Sequence, residues 1–447
     1  MLYEKINKFS NKILNLKQLF PFKNNYLTYN INNLLDNQWH FINLFNNYFC
    51  LCKGFYCKYE EIPQKCKYLF YLTVIYNNKD IYNKTDYLLA DFFYNKESSS
   101  DDAYPVFEEM INQNLPAHYL TQNIDIYNKY CKNRIRCLKI LPVKKINAII
   151  DGDFLEKYLT LILKIKSAIT GAVFLSINHL FYNIDYITYI SLGHGVSFFK
   201  YYLYLNNSYY GNKRYNKILI PPSKKLISVA IKYGWADENI IKINLPRWDK
   251  YNKFEEKNNS IFIMFTWRLI KKNRNISVDY FKNIFNLINN HLLIKTIQKY
   301  NITLYFAIHH MFSEYRTKII YNQYIKFIQE NQISNILSKA DLLVTDFSSI
   351  IFDIIYRKKP FVIYIPDSNL SDNKKNYNKN YYRIIKEIKE GLIQFKNKYF
   401  NIKEAINKII FYIKNNFELE KNLIKFYNSF NFEKQNGTQK FIDYLKK

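Results

Sequence analysis

Residues 336–366, ILSKADLLVTDFSSIIFDIIYRKKPFVIYIP, constrain this chain more than any other stretch. DLLVTD is a short apolar run of the kind that suits a strand buried on both faces. It stops at Thr345-Asp346, and Phe347-Ser348-Ser349 turn the chain into IIFDIIY, an apolar segment of about two helical turns. Lys359-Pro360 ends that helix, and FVIYI opens a second buried strand. The pattern predicts a β-turn-α-β unit with Ser348 and Ser349 at the helix N-terminus. There, free backbone N–H groups and the positive end of the helix dipole attract phosphate, and the hydroxyls add donors. The same serines would equally serve as helix caps, so this stretch alone leaves both roles open.

The same rhythm runs upstream. From about Thr85, DYLLADFFY reads as a strand, AYPVFEEMINQN as a helix after the polar SSSDD loop, and AHYLT as a strand. NAIID is a further strand candidate, LEKYLTLILKIKSA a helix and AVFLSI a strand. This alternation argues for α/β architecture with a doubly wound parallel sheet. YITYISL then ends in Gly193-His194-Gly195, where glycines let the backbone approach a ligand. Ligands of open α/β sheets bind at the carboxyl ends of strands. A histidine there can take a proton from an attacking hydroxyl near neutral pH, although a glycine-flanked histidine is often structural.

KILIPPSKKLISVAIKYGWADENIIKINLPRWDKY reads as strand, helix, a stop at Gly234, strand, and a proline-closed loop. Arg247 in that loop either reaches a phosphate or pairs with Asp249 or Asp237. KFEEKNNS is a polar linker. IFIMFTWR opens a second α/β region and carries Arg268 at its end, and NITLYFAIHHMF ends in His309 and His310.

Residues 1–84 are harder to read. NKILNLKQLF carries a weak helical stripe, and QWHFINLFNNYFCLCKGFYC is aromatic and basic. An interfacial helix and a helical subdomain packed on the core both fit that composition. Cys50, Cys52, Cys57 and Cys66 cluster without C-x-x-C spacing, so a zinc site competes with plain reduced thiols. The formal net charge of +28 favours anionic partners such as nucleic acid, a nucleotide or an anionic membrane surface. Lysine as an ordinary solvated residue accounts for part of it. No run approaches the roughly 18 apolar residues of a spanning helix, and the N-terminus lacks a signal-peptide pattern. The expectation is a cytoplasmic protein that touches the inner face of a membrane peripherally.

ADLLVTDFSSIIFDIIYRKKPFVIY closely resembles the signature of the CDP-glycerol glycerophosphotransferase family, the teichoic-acid polymerase type, with Phe347 where the family has tyrosine. Weaker likenesses run along residues 85 to 447. The family has a histidine-glycine-threonine motif where His194-Gly195-Val196 stand, with the histidine as proposed general base; Gly193 replaces its usual tryptophan. Pro246, Arg247 and Asp249 match a glycine-x-proline-arginine-x-aspartate motif in which Asn244 replaces the glycine. Thr266-Trp267-Arg268 matches a strand end, His309 aligns with a donor-contacting histidine better than His310, and Asn436-Gly437-Thr438 precedes a final amphipathic helix. The basic segment SDNKKNYNKNYYRIIKEIKEG departs from the family's acidic, aromatic loop.

The resemblance implies a GT-B fold: two Rossmann-like domains, 85–252 on the acceptor side and 261–447 on the donor side, facing a cleft. Residues 1–84 would be an N-terminal extension, and the last helix would pack back across the junction. CDP-glycerol would place its pyrophosphate at Ser348 and Ser349, beside Thr345 and Asp346. Arg268 and His309 would neutralise charge on departing CMP. His194 would deprotonate a hydroxyl of a lipid-linked or polymer acceptor, and Gly195, Arg247 and His310 are further candidates. No acidic pair stands out as a Mg²⁺ site, Asp346 and Asp353 being seven residues apart, so metal-independent chemistry without a cofactor is expected. A CDP-ribitol transferase and a UDP-sugar glycosyltransferase are the rival enzymes. A basic nucleic-acid binder would use the aromatics but would not need ordered strand-end histidines and serines.

Overall fold

A computed structural model describes residues 39–44, 47–56, 67–76, 84–90, 102–121, 137–139, 161, 164–170, 187–193, 216–232, 234–253, 257–266, 278–307, 322–329, 332–366 and 395–447. The chain divides into two compact units, one of Met1–Lys96 with Met110–Ile190 and one of Glu97–Glu109 with Ser191–Lys447.

The first unit opens with β1 (Trp39–Leu44), β2 (Asn47–Tyr56) and β3 (Lys67–Tyr76), an antiparallel sheet in the order β1-β2-β3. This corrects the helical expectation for QWHFINLFNNYFCLCKGFYC. The stretch is rich in aromatic residues, which favour strands, and only two residues separate Leu44 from its partner Asn47.

β4 (Asp86–Ala90), β5 (Ala117–Thr121), β6 (Cys137–Lys139) and β7 (Ile165–Thr170) follow, then β8 (Thr188–Ser191), β9 (Lys217–Ile220) and β10 (Ile240–Lys242). The sheet order is β10-β9-β8-β7-β4-β5-β6. The chain therefore starts at β4, winds outward to β6, and resumes on the other side of β4 with β7. That is the reversal of a doubly wound sheet. Helix α1 (Ala103–Asn112) buries Ala103, Val106, Phe107 and Met110, a stripe at helical spacing. The segment LEKYLTLILKIKSA reads as helix throughout; Leu161 and Lys164 are helical, but its last four residues, Ile165 to Ala168, begin β7. With strands on both sides, every residue of IKSAIT except Lys166 is buried, and two-sided burial removes the alternation that marks a strand. NAIID and AVFLSI lie outside the described residues.

In the second unit, α2 (Lys224–Lys232) follows β9 and stops before Gly234, whose φ of +97° only glycine adopts readily. Pro246–Lys253 forms 3₁₀ turns. The second parallel sheet contains β11 (Ser260–Met264), β12 (Thr303–Ala307), β13 (Ile325–Phe327), β14 (Leu342–Thr345), β15 (Phe361–Tyr364) and β16 (Lys398–Tyr399). Its order, β13-β12-β11-β14-β15-β16, puts the winding reversal between β11 and β14. Helices α3 (Val278–Ile288), α4 (His291–Lys299), α5 (Ile333–Lys339), α6 (Ile351–Tyr356), α7 (Ile402–Lys414), α8 (Lys421–Asn428) and α9 (Gly437–Lys446) complete it. β14, α6 and β15 are the predicted unit, and all residues of the three are buried.

Much of the aromatic content enters this core. Phe395 meets Phe426 edge-on at 4.8 Å between centroids, Phe426 meets Phe430 at 5.2 Å, and Phe361 stacks on Tyr427 at 6.1 Å.

Candidate functional site

The carboxyl ends of β11 and β14 lie side by side at the reversal of the second sheet. There the fold clasps them with side chains. The Thr266 backbone N–H donates to both carboxylate oxygens of Asp346, at 3.0 and 3.1 Å, and the Thr266 hydroxyl donates to Oδ1 at 2.8 Å. The Thr345 hydroxyl donates to the Met264 carbonyl at 2.6 Å, and the Tyr280 hydroxyl to the Thr266 carbonyl at 2.6 Å. Thr345 and Asp346, expected beside the donor, are fully buried in this clasp.

At the amino end of β14 the motif braces itself again. Asp341 accepts from the Asn258 and Ser260 N–H groups at 2.9 and 3.2 Å and pairs with Lys359 at 2.9 Å. Two serines remain. Ser348 is nearly buried and Ser349 half-buried. The N-cap of α6 is Ile350, so neither serine side chain caps the helix. The turn is closed by Ile351 N–H to Ser348 O at 3.3 Å and Phe352 N–H to Ser349 O at 3.1 Å. The N–H groups of the serines themselves precede these bonds, where helix starts leave donors over. Among the described residues, neither serine hydroxyl has a hydrogen-bond partner.

Arg247 is buried at 7% exposure between two carboxylates. Its Nε and Nη2 donate to Asp353 at 2.8 and 3.2 Å, and its Nη1 and backbone N–H donate to Asp102 at 2.6 and 3.2 Å. Asp353 also accepts from Trp248 Nε1 at 2.8 Å and the Tyr251 hydroxyl at 3.2 Å. Burial by itself lowers the guanidinium pKa, but the two carboxylates overcome it and raise it well above the usual value. The expected partners of Arg247 are used elsewhere: Asp249 accepts from the Gly437 and Thr438 N–H groups at 2.7 and 2.8 Å, and Asp237 pairs with Lys242. Sequence reasoning missed Asp102, Trp248 and Tyr251. A signal for the network was present, since an aspartate inside the apolar run IIFDIIY needs a cation or several donors.

Gly193 closes β8 at φ +81° and donates to the Ser191 hydroxyl at 3.2 Å. His194 and Gly195, which follow it, lie outside the described residues. So do Arg268, two residues after Thr266, and His309 and His310, just beyond the end of β12. The side chains of the cysteine cluster lie outside them too. Among the described residues, no group of three histidine, cysteine, aspartate or glutamate side chains is placed to hold a metal. No described helix is long and apolar enough to cross a membrane.

The model of the family described as CDP-Glycerol:Poly(glycerophosphate) glycerophosphotransferase matches residues 94–431, well over half of the chain. The chain belongs to this family. The minor teichoic acid biosynthesis protein GgaB of Bacillus subtilis (strain 168) is 27% identical over 251 residues, 52% of this chain and 26% of GgaB. A teichoic acid poly(glycerol phosphate) polymerase of Bacillus spizizenii is 24% identical over 226 residues, 50% of this chain and 48% of the polymerase. The chain thus spans half or less of the length of these curated relatives. The wall teichoic acid polymerase TagF, as a variant soaked with CDPG, has the same fold, with a TM-score of 0.54 at 14% identity, covering 83% of this chain and 91% of that one. The fold is of the GT-B class.

Proposed function

We propose that the chain moves glycerol phosphate from CDP-glycerol to a hydroxyl of a lipid-linked or polymer acceptor, releasing CMP. One observation carries the reading. At the reversal of the second sheet, where open α/β sheets bind ligands, the aspartates of the motif are committed to braces, and a serine pair remains. In this reading the Ser348 and Ser349 hydroxyls and N–H groups hold the donor pyrophosphate. Family membership and the CDPG soak of a TagF variant favour CDP-glycerol as that donor.

His194, which follows Gly193 in the sequence, takes the proton of the acceptor hydroxyl. The oxygen attacks the β-phosphorus, a new P–O bond forms, and the bond to the CMP oxygen breaks with its electron pair. Arg268 and His309 follow the ends of β11 and β12 and offset the charge developing on CMP. His310, Gly195, Thr345 and Asp346 shape their surroundings. With the carboxylates of Asp341, Asp346 and Asp353 engaged, the cationic side chains and hydroxyls take the part a metal ion would play, and we expect transfer to continue in EDTA. The basic chain would work at the anionic inner face of a membrane, where such acceptors lie.

The test is calorimetric binding of CDP-glycerol to the full chain and to its S348A/S349A variant. Hydrogen bonds to charged groups imply a loss of about tenfold or more in affinity at unchanged folding. Equal affinity, or no binding by the unmodified chain, would overturn the reading.

A further inference from the structure

Arg247 ties together three segments that are distant in sequence. Its guanidinium and backbone N–H reach Asp102, the residue before α1, across 145 positions, and Asp353 in α6 across 106 positions. Asp353 is the only charged residue of α6. Its carboxylate takes four hydrogen bonds, and all come from one segment: Arg247 Nε and Nη2, Trp248 Nε1 and the Tyr251 hydroxyl. Trp248 and Tyr356 strengthen the same seam by stacking at 4.3 Å, and Asn252 accepts from the Tyr356 hydroxyl at 2.8 Å. The helix that these contacts hold is six residues long, has no side-chain cap, and starts two residues after Ser349. Its start is therefore closed by local backbone bonds alone, with no side chain to fix it. Its position comes from its buried apolar sides and from this polar seam.

An apolar pair would fill the same volume without the desolvation that two carboxylates and a guanidinium incur. What the charged seam adds is direction. Two N–H groups of the planar guanidinium engage one carboxylate, setting both distance and rotation of α6 against Pro246–Lys253. The lever is short: one turn of helix separates Asp353 from the serine turn.

We propose that Arg247 is a positioning residue that acts through Asp353 to hold the Ser348–Ser349 turn in register for the anionic group it binds. This rests on the serine-turn reading of the donor site. Arg247 itself touches no substrate, since its donors face Asp102 and Asp353. The consequence is energetic coupling between residues that make no contact with each other.

A double-mutant cycle on CDP-glycerol affinity tests this, using R247K and the nearly isosteric D353N, each alone and combined with S348A/S349A. D341N serves as the stability control, because Asp341 braces the opposite end of β14. Each positioning variant should weaken donor binding by about fivefold or more in the otherwise unmodified chain and add little in the serine-less background. D341N should lower Tm with donor affinity unchanged. If the serine variant weakens binding but R247K and D353N do not, or if their effects simply add to it, the positioning role is wrong and the donor site stands. If the unmodified chain binds no CDP-glycerol, or the serine variant binds as well as it does, the donor reading fails and this inference fails with it.

Discussion

At the residue scale, the motif splits into braces and a remainder. Asp341, Thr345, Asp346, Asp353 and Lys359 all spend their polar groups on the fold. A polar residue in a functional motif is therefore no proof of a ligand contact; here the serines stand out because the aspartates, Thr345 and Lys359 are engaged. Their place was legible from sequence, since a strand ending in Thr-Asp and a following apolar helix leave only one turn for them. The partners of Arg247 were not legible. Asp102 sits in a run of serines and aspartates with no periodic pattern, and only the tertiary fold selects it over its neighbours. His194 gives the sharpest residue-level prediction. H194A should lower the rate of CMP release by about a hundredfold or more while CDP-glycerol affinity, measured by calorimetry, stays within error. Wild-type turnover would rule out the proposed role of His194 as base.

At the element scale, the end of the chain is fastened to the segment that carries Arg247. Asn436 caps α9 by accepting from the Gln439 N–H at 2.9 Å, and Asp249 accepts from the next two donors, Gly437 and Thr438. Asn244, which replaces the family's glycine, donates to the Glu433 carbonyl at 2.7 Å. Gly437 is required by contact rather than by backbone angle: a Cβ there would lie 2.6 Å from the Asn244 carbonyl oxygen. Because that neighbour is backbone, it cannot swing aside. G437A should destabilise the chain by about 1–3 kcal/mol, read as a lower urea midpoint at unchanged slope. An unchanged midpoint would mean that the tail shifts at no cost. The buried strands β11, β14 and β15 were readable as short β-branched and aromatic runs between turn residues. β1 and β2 were not, because their aromatic composition suits an interfacial helix as well as a strand, and pairing decided it. β7 was hidden by burial on both faces.

At the scale of the whole molecule, two windings of a parallel sheet account for the order of the elements, and the reversal in the second sheet places the serine turn where ligands bind. The unusual composition divides between two uses. Many aromatic rings close the core around Phe361, Phe395 and Phe426, while the excess of lysine gives the net charge of +28 that suits anionic donors and surfaces. In the proposed reading that charge favours a nucleotide diphosphate and an anionic membrane surface; the reaction itself hangs on the donor. The most direct measurement is the initial rate of CMP release by the purified full chain with a membrane extract as acceptor, in the presence of EDTA. CDP-glycerol is compared with CDP-ribitol, and UDP release from UDP-N-acetylglucosamine is followed beside them. Release from CDP-glycerol is expected to survive chelation and to exceed that from the other two donors. Release confined to CDP-ribitol or to the UDP-sugar, with CDP-glycerol inert, would contradict it.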